Sequence, residues 1–185
     1  ADLFVDCTGF AALLIGKHYQ VPFVSRRDCL FNDTALAVQA NHADRDTPIA
    51  SCTKSTAQSR GWVWDIALPT RRGIGHVFSS QHSSVEKAEE ELQRYLSADP
   101  ALAKDQPSPR KITFQPGHRE TFWHKNCVAV GVSAGFVEPL EASALVLIEK
   151  SAEYVSNNLP QDRAAMTVVS KRFNEIIGKY WIDII

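Results

Sequence analysis

At 185 residues, 44% hydrophobic and 22% charged, the chain has the size and composition of one globular domain or of part of a larger one. A net charge of -1 gives no electrostatic ground for nucleic acid or an anionic membrane as partner, and no apolar run approaches the ~20 residues of a membrane-spanning helix. Cys7, Cys29, Cys52 and Cys127 lie far apart and form no Cys-x-x-Cys pair, which argues against a disulfide scaffold or a zinc site and for a reducing cytoplasm. The histidines show no metal-ligand spacing, so no metal is expected.

The start, "ADLFVDCTGF", lacks the basic region and cleavage site of a signal peptide. It enters the apolar run Leu3–Val5 at once, and the end, "KYWIDII", carries no helix cap. Both ends have the look of an interior piece of a longer protein. "DLFVDCTGF" predicts a short buried strand ending at Asp6, a turn at Gly9 and an apolar helical segment over Phe10–Ile15. "TALAVQANH" predicts a strand, preceded by turn chemistry at Asn32–Asp33. "CTKSTAQ" and "GWVWDIAL" predict a strand pair about Ser59–Gly61, and "RRGIGHVFSS" the next antiparallel strand. Alternation places Trp62, Trp64, Ile66 and Leu68 on one face and Val63, Asp65 and Ala67 on the other.

Residues 84–97 predict a surface helix capped by Ser84, with Val85, Ala88, Leu92 and Leu96 as its apolar stripe. The proline-rich stretch "SADPALAKDQPSPR" predicts a loop, and "KITFQPG" and "CVAVG" predict strands with "HRETFWHKN" between them. A long buried helix is expected over 139–156 and a second from Asp162 to Tyr180. Strands early and helices late predict an α/β or α+β fold, not a bundle or a sandwich.

The stretch "CVAVGVSAGFVEPLEASALVLI" is the one that invites chemistry. A strand ends at Gly131, where the absent Cβ lets a ligand approach the backbone. Pro139 suits the first position of a helix whose free N–H groups and positive dipole end would face an anion or cofactor. Glu141 in such a first turn could complement the dipole or could act in catalysis; Glu138 fits the dipole role. Paired tryptophans on a strand commonly fill a core face. Ser83, Ser84 and His82 could be drawn as nucleophile and base, but they adjoin a helix cap and serve structure. No glycine-rich dinucleotide fingerprint or phosphate loop is present within the chain.

Four segments, "ADLFVDCTGFAALLI", "GWVWDIALPTRRGIGHVFSS", "GHRETFWHKNCVAVG" and "SAGFVEPLEASALVLIE", resemble the flavin-dependent tryptophan halogenase family in order and approximate spacing. The resemblance implies the α/β class, as part of an FAD-binding, flavoprotein-monooxygenase-like fold with a mixed sheet and C-terminal helices but without its N-terminal dinucleotide-binding βαβ unit. It implies one halogenase domain over 1–185, with 1–138 mainly strands and 139–185 helical. The family's glycine-rich motif and essential lysine would fall before Ala1, and much of its indole-binding helical part after Ile185. It implies an enzyme in which reduced FAD, dioxygen and chloride or bromide yield an electrophilic halogen that reaches tryptophan, indole or a related aromatic. This piece alone would then be inactive. A separate flavin reductase would be its partner, and a homodimer is compatible with the family.

The family's Glu-Pro-Leu-Glu-Ser-Thr-Gly pattern carries the catalytic role onto Glu141. The halide-binding backbone N–H groups fall on Ser143 and Ala144, and the flavin contacts on Gly131, Val132 and Leu145, with Gly9 at the first turn. Here Ala142-Ser143-Ala144 replaces Ser-Thr-Gly, which keeps the N–H groups and restricts the backbone at 144. The family's Trp-x-Trp-x-Ile-Pro, which separates substrate from flavin, reads Trp62-Val63-Trp64-Asp65-Ile66-Ala67 with the proline delayed to Pro69. That resembles a branch less tied to free tryptophan. An FAD-dependent aromatic monooxygenase and a non-catalytic flavoprotein fragment are the alternatives.

Overall fold

The computed structural model describes residues 2–42, 44, 46, 48–100, 102, 107–140 and 142–185. The chain divides into two compact units, one of Ala1–Leu30 with Gln115–Ile185 and one of Phe31–Phe114. Together they make the expected α/β mixture.

The second unit is built on a five-stranded antiparallel sheet of β3 (Thr34–Asn41), β4 (Lys54–Gln58), β5 (Gly61–Ala67), β6 (Arg71–Phe78) and β7 (Arg110–Thr113), in the order β4-β5-β6-β3-β7. Helix α1 (Val85–Ala98) covers one face. Its cap is the expected one, with Ser84 Oγ accepting from the Lys87 N–H at 3.4 Å. Ala88, Leu92 and Leu96 pack on Leu36, Val38, Val63, Ile74 and Phe78, with Val85 at the margin. Thus the strand face that meets the helix is that of Val63 and Asp65. The tryptophans lie on the other face and take no part in this core, because alternation had to send one set away from α1.

Polar side chains bind α1 to this sheet. His76 is fully buried, with Nδ1 3.0 Å from Ala88 O and Nε2 3.0 Å from Arg60 O. Glu91, which looks like one more acid in a solvated run, is buried, with the Ser59 hydroxyl on Oε1 and His76 Nε2 3.5 Å from Oε2. Asp65 receives hydrogen bonds from Arg72 and from the Tyr95 hydroxyl at 3.0 Å, and Arg72 also reaches Asp99 at 2.6 Å. The bond to Asp65, against burial and aided by Asp99, raises the Arg72 pKa and holds the guanidinium charged. Tyr95→Phe removes one donor from the buried carboxylate and leaves Arg72 in place. It is expected to lower stability by about 1–2 kcal/mol, read as a lower urea midpoint at unchanged slope.

In the first unit, β1 (Phe4–Asp6) pairs in parallel with β10 (Cys127–Ala129), which pairs antiparallel with β9 (Trp123–His124). A second small sheet has the order β11-β8-β2, from β2 (Phe23–Ser25), β8 (Gly117–Arg119) and β11 (Gly135–Phe136). The strand ending at Asp6 is as expected, but it is not buried: it is an edge strand, and Phe4 and Val5 are exposed. The segment over Phe10–Ile15 is not one apolar helix. It is a short 3-10 turn over Gly9–Ala11 and a π-helical turn over Leu13–His18, separated by Ala12 in the left-handed region (φ 41°). The predicted strand 111–117 is likewise split between β7 and β8 at Phe114–Pro116.

Two helices finish the unit. α3 (Arg163–Ile184) starts where Asp162 predicts it, with the carboxylate accepting from the Ala165 N–H at 2.7 Å. Phe173, Ile177 and Trp181 pack into the core, and the Asn174 side chain ties α3 to Phe122 and Trp123 through bonds of 2.8–3.0 Å. α2 runs over Ser143–Asn157, four residues later than expected, and only Leu147 and Ser151 of it are buried. Pro139 therefore sits in a turn, its carbonyl 3.4 Å from the Ala142 N–H, and is not the first helical residue. A sequence of good helix formers continues back through 140, but Ala142 takes a left-handed conformation (φ 54°), which the helix cannot extend through.

Candidate functional site

β1 and β10 end level with each other: Asp6 faces Ala129, and the Val130 N–H donates to Asp6 O at 3.0 Å. From these parallel carboxyl ends the chain leaves into two turns, Gly9–Ala11 and Gly131–Ser133, which pack against each other. Their glycines have φ of 65° and 75°. A Cβ would find room at both positions, so it is the left-handed conformation that asks for glycine. The result is two bare stretches of backbone at the carboxyl edge of a parallel pair, the usual place for a cofactor in α/β folds.

Asp6 organises this edge, a role that nothing in its local sequence announces. Its side chain is fully buried. One carboxylate oxygen accepts from the Thr8 N–H (3.0 Å) and hydroxyl (2.6 Å), the other from the N–H groups of Leu14 (2.9 Å) and Ile15 (2.8 Å). The last two begin the π-helical turn, so Asp6 acts as its cap from eight and nine residues away. Burial favours the protonated acid, but the bonds from Thr8, Ile15 and Leu14 outweigh it and hold the pKa below the ordinary value. Ser133, 1% exposed, places its hydroxyl against the carbonyl oxygens of Asp6 and Val130. Arg119 supports the same turn from Nε to Ser133 O (3.3 Å) and from Nη1 to Val21 O (2.9 Å). Cys127 is not a candidate nucleophile: burial, then the Asp6 charge, pushes its pKa up to about 11.

The N-terminus of α2 joins this edge. Ala144 lines a cavity of about 20 Å³ together with Gly131, Val132 and Gly135. The left-handed cap residue Ala142 provides no side-chain acceptor, and the first bond of the helix runs from the Leu145 N–H to Ala142 O at 3.1 Å. Among the described residues, the N–H groups of Ser143 and Ala144 find no acceptor. They offer two adjacent donors and a positive helix end to a small anion. Leu145 is 69% exposed. Glu141, which precedes the cap residue, lies outside the described residues.

Gly9, Gly131, Val132, Ser143, Ala144 and Leu145 thus belong to one unit, on two packed turns and the helix start. Trp62 and Trp64 belong to the other unit, on β5, with ring centroids 6.3 Å apart and planes at 62°. His82 Nδ1 lies 2.9 Å from Ser79 Oγ, and Ser84 is occupied as the cap of α1, as their structural role requires. Among the described residues no cluster of His, Cys, Asp and Glu could hold a metal, and no helix is long and apolar enough to cross a membrane.

The tryptophan halogenase family profile matches residues 1–185. Tryptophan 7-halogenase KtzQ of Kutzneria sp. (strain 744) is 39% identical over 99% of this chain and 33% of its own length. Tryptophan 7-halogenase RebH of Lentzea aerocolonigenes is 37% identical over 99% and 34%. The crystal structure of a tryptophan halogenase from Shewanella frigidimarina NCIMB 400 superposes with a TM-score of 0.93 at 50% identity, over 99% of this chain and 35% of that one. BrvH, a flavin-dependent halogenase from Brevundimonas sp. BAL3, gives 0.86 at 41% identity, over 97% and 35%. The chain spans about a third of the length of the curated relatives it matches. A family match along all 185 residues, with solved relatives superposing this closely, places the chain in the tryptophan halogenase family.

Proposed function

We propose that residues 1–185 belong to one domain of a flavin-dependent halogenase and carry its halide site and part of its flavin site, in an enzyme that halogenates tryptophan, indole or a related electron-rich ring. The observation that carries this reading is the pair of N–H groups at Ser143 and Ala144 that find no acceptor among the described residues, beside the bare backbone at Gly131. A halide ion asks for donors rather than a particular side chain, so the alanine at 144 is compatible with holding it. Gly9, Gly131, Val132 and Leu145 are the residues assigned to FAD. The glycines let a flat ring come close to the main chain, and the exposed Leu145 side chain offers it an apolar contact. Bound in reduced form, FAD would activate dioxygen, which supplies the oxidising power that makes halide electrophilic.

Glu141 then contributes negative charge where the aromatic ring becomes cationic, and orients the halogenating species. Trp62 and Trp64 keep the substrate apart from the flavin. A separate flavin reductase supplies reduced FAD. The test is turnover by the complete protein with reductase, FAD and either tryptophan or indole, across a chloride and a bromide series. Product formation is expected to saturate with halide and to stop without it. Product that forms at the same rate without halide contradicts the assignment of Ser143 and Ala144.

A further inference from the structure

Gly75 sits on β6 directly opposite Trp64 of β5, and its free space is already taken. A Cβ built there would overlap Cζ2 and Cη2 of the Trp64 indole. Ring atoms at the height of a neighbouring strand's Cβ show that the indole reaches across onto β6 and fills the space a side chain at 75 would take. The row that crosses the sheet here is Ser55, Trp64, Gly75 and Ala37, so the indole's neighbours within the row are all small. Trp62, two positions earlier on the same face, is opposite Val77, a side chain that no indole can lie across in this way. Gly73, on the same strand and face as Gly75, is opposite Ile66, and a Cβ there would meet nothing within 4 Å. Two glycines of one "RRGIGHVF" strand are therefore not equivalent: one is spare, the other is a seat.

We propose that Gly75 is the positioning residue for Trp64, letting the indole lie across β6 and thereby setting how the tryptophan pair is presented to the aromatic substrate. This rests on the function proposed above, in which that pair separates substrate from flavin. A residue that moves Trp64 changes how the substrate is oriented, and a displacement of about 1 Å at such a site costs on the order of a hundredfold in rate. No side chain at 75 touches the substrate; the effect passes through Trp64.

The test uses the complete protein labelled with fluorotryptophan, the Trp64 fluorine resonance being assigned by its loss in Trp64→Phe. Gly75→Ala is expected to shift that resonance and to lower kcat for the aromatic substrate roughly ten- to a hundredfold, with the halide dependence unchanged. Gly73→Ala is expected to do neither. In a Trp64→Phe background, whose shorter ring lacks the atoms over Gly75, the further change Gly75→Ala is expected to have little effect on kcat, as a double-mutant cycle reads it. An unmoved resonance in Gly75→Ala, an equal loss in Gly73→Ala, or a full effect of Gly75→Ala in the Trp64→Phe background would each overturn the proposal. A moved resonance in a protein that makes no halogenated product leaves Gly75 as the seat of Trp64 and overturns instead the halogenase function.

Discussion

Asp6→Ala is expected to destabilise the protein by roughly 3–5 kcal/mol and to abolish flavin binding together with it. The side chain is fully buried and accepts from three backbone N–H groups and the Thr8 hydroxyl. Alanine would leave all four donors without an acceptor, at the root of the Gly9 turn and of the π-helical turn. Asp6→Asn keeps one acceptor oxygen and should fall between the two. The pH dependence separates this account from one based on shape alone. The folded carboxyl ionises below its ordinary value, so its stabilisation is complete above the unfolded pKa of about 3.9 and is lost as pH falls through the lower folded value. The difference in urea midpoint between the parent and Asp6→Ala should hold steady from about pH 7 to about pH 5 and narrow below about pH 4. A difference that stays constant down to about pH 3 would mean that the ionised carboxylate is not what holds the turn.

Glu141→Gln, made in the complete protein, is expected to reduce halogenation by roughly a hundred- to a thousandfold while FAD binding stays nearly intact. Glutamine preserves the size and hydrogen-bonding reach of the side chain and removes only the charge that a cationic ring intermediate would favour. Glu138→Gln provides the comparison. Glu138 belongs to the turn before α2 by sequence and has partners of its own, so its substitution should leave the rate within a fewfold. Loss of FAD binding in Glu141→Gln would show instead that this acid supports the entry to α2, the other role open to an acid at that point of the sequence. Flavin fluorescence titration and product quantification on the same preparations distinguish the two.

Much of the fold was legible because it depends on local patterns. Alternation gave β3 and β5 and separated the Trp62 face from the Val63 face, the turn after β5 gave β6, and Ser84 and Asp162 marked the starts of α1 and α3. What was not legible depends on partners far along the chain or across a sheet. The start of α2 follows the left-handed turn at Ala142, which no local propensity requires of alanine, and "PLEASALVLI" reads as unbroken helix without it. Asp6 finds its donors at Leu14 and Ile15, on a turn whose π-helical form only the packed unit supports. Glu91 stands in the run "EKAEEELQ", whose other acids face water; the Ser59 hydroxyl and His76 that accompany it inside come from different strands and turns. The tryptophan pair could be found by its spacing, but its seat needs the β5–β6 register, since "RRGIG" alone reads as a turn with two glycines. For the site, the resemblance carries the halide role onto Ser143 and Ala144, and the geometry adds that among the described residues their N–H groups find no acceptor.

The function proposed above has the complete protein transfer halogen, not oxygen, to an aromatic ring. The most direct test is mass spectrometry of the product formed by the complete protein from indole or tryptophan with reduced FAD, dioxygen and bromide. The expected product carries the equal-intensity isotope pair of a single bromine, and none is expected when halide is withheld. A hydroxylated ring with no halogenated product would contradict it.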